Sequence, residues 1–314
     1  MLPSIESDLA GKTIEKYHIH SKLGAGRMGV VYKGRDTKLN RLVALKILPA
    51  ELKIDDDAVE HFLYEAMAVS QLDHPNICTI HEILETPDEQ LIIVMTYYEG
   101  ESLAARLAGR REAIDVNREA WGLRGVPTTA RPVRKINSEP AAEIQPSGDV
   151  AVEEEEAIEE DEDSLPDNPV ISFEEAVSIA SQIGEGLAAA HAEGIVHRAI
   201  KPANVMITKE GQAVILDFGV AMLAGRIKLA PHYMSPEQVK GERVDHQTDI
   251  WATGAVLYEM ISGRQPFPGK EDQAVIDAIL DQDPANVQND EIRPILQKSL
   301  VKDKHHRYAS AGAL

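Results

Sequence analysis

A single cysteine, Cys78, excludes any disulfide within this chain of 314 residues and suits a reducing compartment. No run of 18 apolar residues occurs, so no membrane segment is expected. The opening residues, MLPSIESDLAGKTIEKYHIH, lack a basic stretch followed by an apolar one, so no signal peptide is expected. These three absences point to the cytoplasm. Positive charge is also scarce: 32 Lys and Arg stand against 52 Asp and Glu, a net charge of −20. Phosphate backbones would repel such a chain, so nucleic acid is not an expected partner. There is no internal repeat. Apolar residues, by contrast, make up 43% of the chain, enough for a sizeable core.

Residues 17–48 alternate as strands do: YHIHSKL, then a glycine-rich turn, VVYKGRD and LVALKIL. Residues 56–72 suit an amphipathic helix, with Val59, Phe62, Leu63, Ala66, Val69 and Leu72 on one face. Two more strands are expected at ICTIHEIL and LIIVMTY. From about residue 109 to 168 the periodicity fades. The first part is basic, with Arg110, Arg111, Arg118, Arg124, Arg131, Arg134 and Lys135. Residues 149–167 then hold eleven acids and no Lys or Arg. Such a segment buries too little apolar surface to offset chain entropy, so it reads as a disordered insertion. It is either a tolerated loop or a docking tail for a basic partner. Order returns at SFEEAVSIASQIGEGLAAAHAEG, where Ser172 and Glu175 have the spacing of a capping box. Short strands are expected around ANVMI and AVILDF, and helices at HQTDIWATGAVLYEMISG and EDQAVIDAILDQ.

Gly24, Gly26 and Gly29 have G-x-G-x-x-G spacing. Glycine lets backbone N–H groups approach a phosphate. Alone the motif equally describes an ordinary glycine-rich hairpin. A dinucleotide-binding turn would lead into a helix, but the strand-like VVYKG follows. That favours a hairpin lying over a nucleotide. Lys46 on the third strand and Glu65 on the following helix have the order of a lysine that holds phosphate oxygens and is itself oriented by a carboxylate. Asp217 in LDFG and Asn204 are hard oxygen donors of the kind that Mg²⁺ takes. Lys201 would neutralise a transferring phosphoryl group.

In order along the chain stand the Gly-rich loop, Lys46, Glu65, HPNI, VMTYYEGESL, His197-Arg198, Lys201, Asn204, DFG, SPE, Asp249 and Arg307. This series resembles the protein kinases, and specifically the eukaryotic-type Ser/Thr kinases of bacteria. The resemblance covers residues 17–314 apart from the insertion. It implies an α+β, two-lobed fold: a small antiparallel sheet with one helix (residues 17–95), a hinge (96–99) and a larger, mostly helical lobe (100–314), preceded by a tail (1–16). It implies ATP and Mg²⁺ in the cleft and a protein substrate or regulated partner. Leu23 and Val31 would roof the adenine, and Ala44 and Met206 would sandwich it. Met95 would be the gatekeeper, and Thr96 to Tyr98 would offer backbone hydrogen bonds to the base. Lys46, Glu65, Lys201, Asn204 and Asp217 would form the catalytic set, with Asn204 and Asp217 on the metal. Arg307 would pair with Glu237 as a buried structural contact.

Besides the insertion, the chain departs from the family pattern at Ala199 and in the segment that follows DFG. Ala199 stands where relatives keep the Asp that accepts the substrate hydroxyl's proton. The stretch VAMLAGRIKLAPHYM, residues 220–234, is short and holds no Ser or Thr, so Arg198 has no phosphorylated residue to meet there. Ala230 takes the place of the threonine that in relatives contacts the missing Asp. Two readings follow. One is a Ser/Thr phosphotransferase crippled at Ala199. The other is a pseudokinase that binds nucleotide and acts as scaffold or allosteric regulator.

Overall fold

The structure is a computed structural model and describes residues 9–26, 28–49, 56–86, 90–109, 171–218, 231–287 and 289–314. The charged insertion, Ala230 and residues 219–230 lie outside the described residues.

The strand-like stretches form one six-stranded antiparallel sheet. Its strands are β1 (Thr13–Ile14), β2 (Tyr17–Gly26), β3 (Gly29–Asp36), β4 (Arg41–Ile47), β5 (Ile80–Glu85) and β6 (Leu91–Thr96). The order across the sheet is β1-β2-β3-β4-β6-β5. The sheet thus starts ahead of Tyr17, because Thr13 and Ile14 pair with His18 and Tyr17. Helix α1 (Asp56–Ser70) carries the expected face inward. Phe62, Ala66 and Val69 are buried; Val59 and Leu63 pack with Phe62 and Ala66, while Val69 and Leu72 join the core of the larger lobe. Burial of a phenylalanine such as Phe62 is worth about 1.5–3 kcal/mol. Gly29 is the one position in the glycine-rich loop where the backbone demands glycine: its φ is +114° and a Cβ would lie 2.0 Å from the carbonyl oxygen of Ile47.

A second, three-stranded sheet joins β7 (Gly100–Ser102), β8 (Val205–Thr208) and β9 (Ala213–Ile215). Residues 103–109 are helical (α2). The larger lobe is built on α3 (Phe173–Ala192), α4 (Pro236–Val239), α5 (Gln247–Ser262), α6 (Asp272–Asp281) and α7 (Arg293–Ser299). Ser172 caps α3 as its spacing predicts, accepting the N–H of Glu175 at 3.2 Å, while the Glu175 carboxylate takes Arg106 Nη1 at 2.7 Å. Helix α5 is buried on every side, the pattern of a central core helix. Gly254 lets α7 approach it closely, because a Cβ there would meet Ser299 Cβ at 2.5 Å. The α+β, two-lobed architecture expected above is therefore present. Among the described residues no helix is long and apolar enough to cross a membrane.

Beside α5 the ring of Trp251 stacks on Phe267 at 5.4 Å, and Lys302 Nζ lies 4.1 Å from the Phe267 centroid. This ammonium is buried and meets no hydrogen-bond acceptor among the described residues. Burial pushes its pKa down from 10.5 to about 8, against the pull of Asp283 and Asp281. Between those two values the unfolded chain holds a proton that the folded chain has released, so stability rises with pH across that window. We expect urea-unfolding free energies measured at successive pH values to show that rise. Lys302→Met should abolish it and raise stability near neutral pH by about 1 kcal/mol, discounted for the partial exposure of the side chain.

Candidate active site

Strands β4 and β6 pair so that Ala44 sits opposite Met95 and Lys46 opposite Ile93. Val31, Ala44, Met95, Tyr98 and Met206 gather in one apolar cluster with Leu216. Leu23, on β2, is 48% exposed. Gly24 lies in register with Val31, and a Cβ at Gly24 or Gly26 would meet nothing within 4 Å. The space beside both Cα atoms is thus empty. The Thr96 N–H is already committed to Thr79 O at 3.0 Å. Behind Met95, burial pushes the Cys78 thiol pKa up, with Asp217 adding to the effect, so that sulfur stays protonated and inert.

The ion pairs differ from the arrangement that chain order predicts. Lys46 Nζ sits 2.7 Å from Asp217 Oδ2, with the lysine side chain 5% exposed. Glu65 does not orient this lysine; its Oε1 lies 3.1 Å from Arg198 Nη1. Glu65 Oε2 is buried and meets no donor among the described residues. Arg198, without a phosphorylated partner in the sequence, thus has a carboxylate partner in the structure. Chain order sets Lys46 on a strand and Glu65 on the following helix, but the placement of α1 against the sheet decides which cation the carboxylate reaches.

The loop around Ala199 is held by a buried acid. Asp249 on α5 is fully buried. Its Oδ2 accepts the His197 N–H and its Oδ1 the Arg198 N–H, each at 2.8 Å. This holds Arg198 at φ 66°, a left-handed conformation that is strained for a side-chain-bearing residue. His191 Nε2 lies 2.8 Å from the same Oδ2. His197 Nδ1 accepts the Ala199 N–H at 3.2 Å, and Nε2 donates to Leu216 O at 2.8 Å. The ring is therefore neutral, in keeping with burial, which lowers its pKa against the opposing pull of Asp249. Phe218 packs edge-on against it at 4.6 Å. Asn204 Nδ2 donates to Ala199 O at 2.8 Å, leaving its side-chain oxygen as the metal-type donor. Gln238 Nε2 donates to Arg198 O at 2.8 Å from α4.

The expected pair across the larger lobe is made. Arg307 Nη1 and Nη2 reach Glu237 Oε1 and Oε2 at 2.7 and 2.8 Å. Burial raises the Glu237 pKa, but the Arg307 hydrogen bonds outweigh it and hold the carboxyl below its ordinary 4.5.

The family model of protein tyrosine and serine/threonine kinases matches residues 17–310. The chain belongs to the protein kinase family. It is 29% identical to a probable serine/threonine-protein kinase of Clostridium perfringens, over 96% of this chain and 38% of the relative. It is 31% identical to serine/threonine-protein kinase PrkC of Bacillus subtilis, over 96% of this chain and 40% of the relative. With PknA of Mycobacterium tuberculosis it shares 27% identity over 99% of this chain and 62% of the relative. The chain thus spans about two fifths of the length of the first two relatives. A crystal structure of the M. tuberculosis PknI kinase domain superposes with a TM-score of 0.63 at 21% identity, covering 97% of this chain and 94% of that one. This structural likeness bears on the fold.

Kinases of this family use ATP and Mg²⁺. Among the described residues no cluster of three or more His, Cys, Asp and Glu forms a metal site. The oxygens of Asn204 and Asp217 are the donors present, which fits an ion that takes few protein ligands and fills its sphere with phosphate and water. The open loop at Gly24 and Gly26 and the Lys46 ammonium fit the phosphates. In this kinase domain the sequence named Asp249 only as a landmark and gave no role to Gln238 or His191. Their contacts join residues 40 to 58 positions apart, and no local pattern encodes them.

Proposed function

We propose that this chain is a Ser/Thr-type kinase domain that binds ATP with Mg²⁺ and transfers phosphate to protein hydroxyls poorly, because Ala199 has replaced the proton acceptor. The observation that carries this reading is the Lys46–Asp217 pair, 2.7 Å apart, with Lys46 in register with Val31 and Val31 with Gly24 of the glycine loop. Lys46 would hold phosphate oxygens, and Asp217 and Asn204 would hold the metal. Lys201 would neutralise charge on the phosphoryl group in flight. Leu23, Val31, Ala44 and Met206 would enclose the base, with Met95 behind it and the backbone of residues 96–98 along its edge. ATP–Mg supplies the phosphoryl group; the chain supplies position and charge, which dominate this chemistry. Alanine neither accepts a proton nor orients a hydroxyl. A protein substrate completes the reaction.

The second reading is a nucleotide-binding regulator with no turnover. The Glu65–Arg198 pair favours it, since it takes from Lys46 the carboxylate that the family pattern assigns. Both readings require nucleotide binding. ATP with Mg²⁺ is therefore expected to raise the thermal midpoint, as any ligand selective for the folded state does. Lys46→Met and Asp217→Asn should each abolish the rise. A midpoint that ATP and Mg²⁺ leave unmoved in the unsubstituted chain would remove both readings.

A further inference from the structure

Ala199 opens onto a cavity of about 30 Å³ bounded by Arg198, Lys201, Tyr233, Met234 and Gln238. A space of this size takes about two oxygen-sized atoms, the bulk of a carboxylate. Its walls include two cationic side chains, Lys201 and Arg198, the latter already paired with Glu65. Glu65 is engaged with Arg198, Asp217 with Lys46, and Glu259 with the Tyr233 hydroxyl. The loop around the cavity is held on several sides, by Asp249 from below, by Gln238 on the Arg198 carbonyl and by Asn204 on the Ala199 carbonyl. Thus the frame that would position a carboxylate stands, while the side chain at its centre ends at Cβ.

We propose that this cavity is a carboxylate site filled in trans. The carboxylate comes from a small organic acid or from an Asp or Glu beside the acceptor hydroxyl of the protein substrate. It does the work that Ala199 cannot. This rests on the phosphotransferase reading above. The acceptor oxygen bonds the γ-phosphorus as the bond from that phosphorus to the β–γ bridging oxygen breaks. The bridging oxygen keeps the electron pair and leaves on the nucleoside diphosphate. The hydroxyl proton passes to the seated carboxylate, which is released as the acid. On this account the preferred substrates carry an acidic residue next to the phosphorylated Ser or Thr, and the base missing from the chain becomes a specificity element.

The test compares the chain with Ala199→Asp and with Ala199→Leu, which fills the cavity. Initial rates of labelled phosphate transfer are measured in sodium formate against sodium chloride at equal ionic strength. Acceptor peptides differ only in Asp or Asn beside the serine. Formate, the Asp peptide, or both should raise the rate of the unsubstituted chain roughly tenfold, part of the 10²–10⁴ that a built-in base supplies, since a diffusing base must first be captured. Neither should help Ala199→Asp or Ala199→Leu. A response to formate alone identifies a free acid as the source, and a response to the Asp peptide alone identifies the substrate. A second readout needs no nucleotide: formate should raise the thermal midpoint of the unsubstituted chain relative to chloride, and not that of either variant. If Ala199→Asp transfers phosphate while formate and the Asp peptide leave the unsubstituted chain unchanged, the carboxylate site is refuted and the kinase reading stands. If Ala199→Asp is itself inactive, the kinase reading falls and the catalytic role with it.

Discussion

Ala199→Asp is expected to raise the rate of phosphate transfer to a protein hydroxyl by about 10²–10⁴-fold, the usual worth of a positioned general base. In free energy this is roughly 2.7–5.4 kcal/mol of barrier. The estimate depends on whether the loop is already in place, and its hydrogen bonds indicate that it is. The Asp249 carboxylate holds the N–H groups of His197 and Arg198 at 2.8 Å. Asn204 grips the Ala199 carbonyl at 2.8 Å. The cavity of about 30 Å³ beside Ala199 admits the new carboxylate without overpacking. Lys201 on its wall opposes the desolvation of the added charge, whereas Arg198 is already paired with Glu65. The measurement is the initial rate of labelled γ-phosphate transfer to a generic basic substrate, with the unsubstituted chain alongside. An Ala199→Asp chain that binds ATP–Mg and still transfers nothing would remove the phosphotransferase reading and leave the nucleotide-binding regulator, the reading that the Glu65–Arg198 pair favours because it keeps Glu65 from Lys46.

Arg307→Ala should cost the fold about 3–5 kcal/mol, the usual penalty for leaving one partner of a buried ion pair behind. Arg307 and Glu237 are 4% and 3% exposed, so water cannot compensate either. The guanidinium also donates to the carbonyls of Val301, Gln247 and Lys302 at 2.9, 3.0 and 3.1 Å. It lies 5.0 Å from the ring of Trp251 as well. Truncation therefore leaves several acceptors unmet at once. Arg307→Lys should recover only part of the loss, because an ammonium cannot form the two-pronged contact. Glu237→Gln with Arg307→Met, which removes both charges, should cost less than Arg307→Ala alone.

The pH dependence gives this prediction a sign. With Arg307 present the Glu237 pKa lies below its ordinary 4.5. The pair's contribution is then complete above that value and is lost as pH falls through the folded pKa. Without Arg307, burial is left as the leading influence and raises the Glu237 pKa. The unfolded chain then loses its proton first, so the variant loses stability as pH rises through 4.5. The gap between the two proteins should therefore narrow on acidification. Urea unfolding at pH values on either side of 4.5 measures it. A gap independent of pH would show that the lost hydrogen bonds and packing, rather than the carboxylate, set the cost.

Much of this protein is written locally. Period-2 stretches became β2, β3, β4, β5 and β6, and the period-3.6 face of residues 56–72 became α1, because both signals depend only on a few neighbouring residues. Ser172 caps α3 for the same reason. The order of motifs was enough to name the family and to pair Glu237 with Arg307 across 70 residues. That Ala199 carries no base is likewise a fact of the sequence alone.

The choice of partners was decided by the tertiary structure. Glu65 meets Arg198 and Lys46 meets Asp217, although chain order favours joining Glu65 to Lys46. The reason is geometric: a carboxylate on a helix selects among cations by distances of a few ångströms, and those follow from how α1 packs on the sheet. Asp249 illustrates the same point. Its residue type and position are visible in the sequence, but the hydrogen bonds that fix the backbone of His197 and Arg198 exist only once α5 is buried beneath that loop. The cavity at Ala199 belongs to the same class. A missing side chain is read from the sequence in one letter, whereas the space beside it and the charges on its walls come from α4, the catalytic loop and residues 233–234 brought together by the fold.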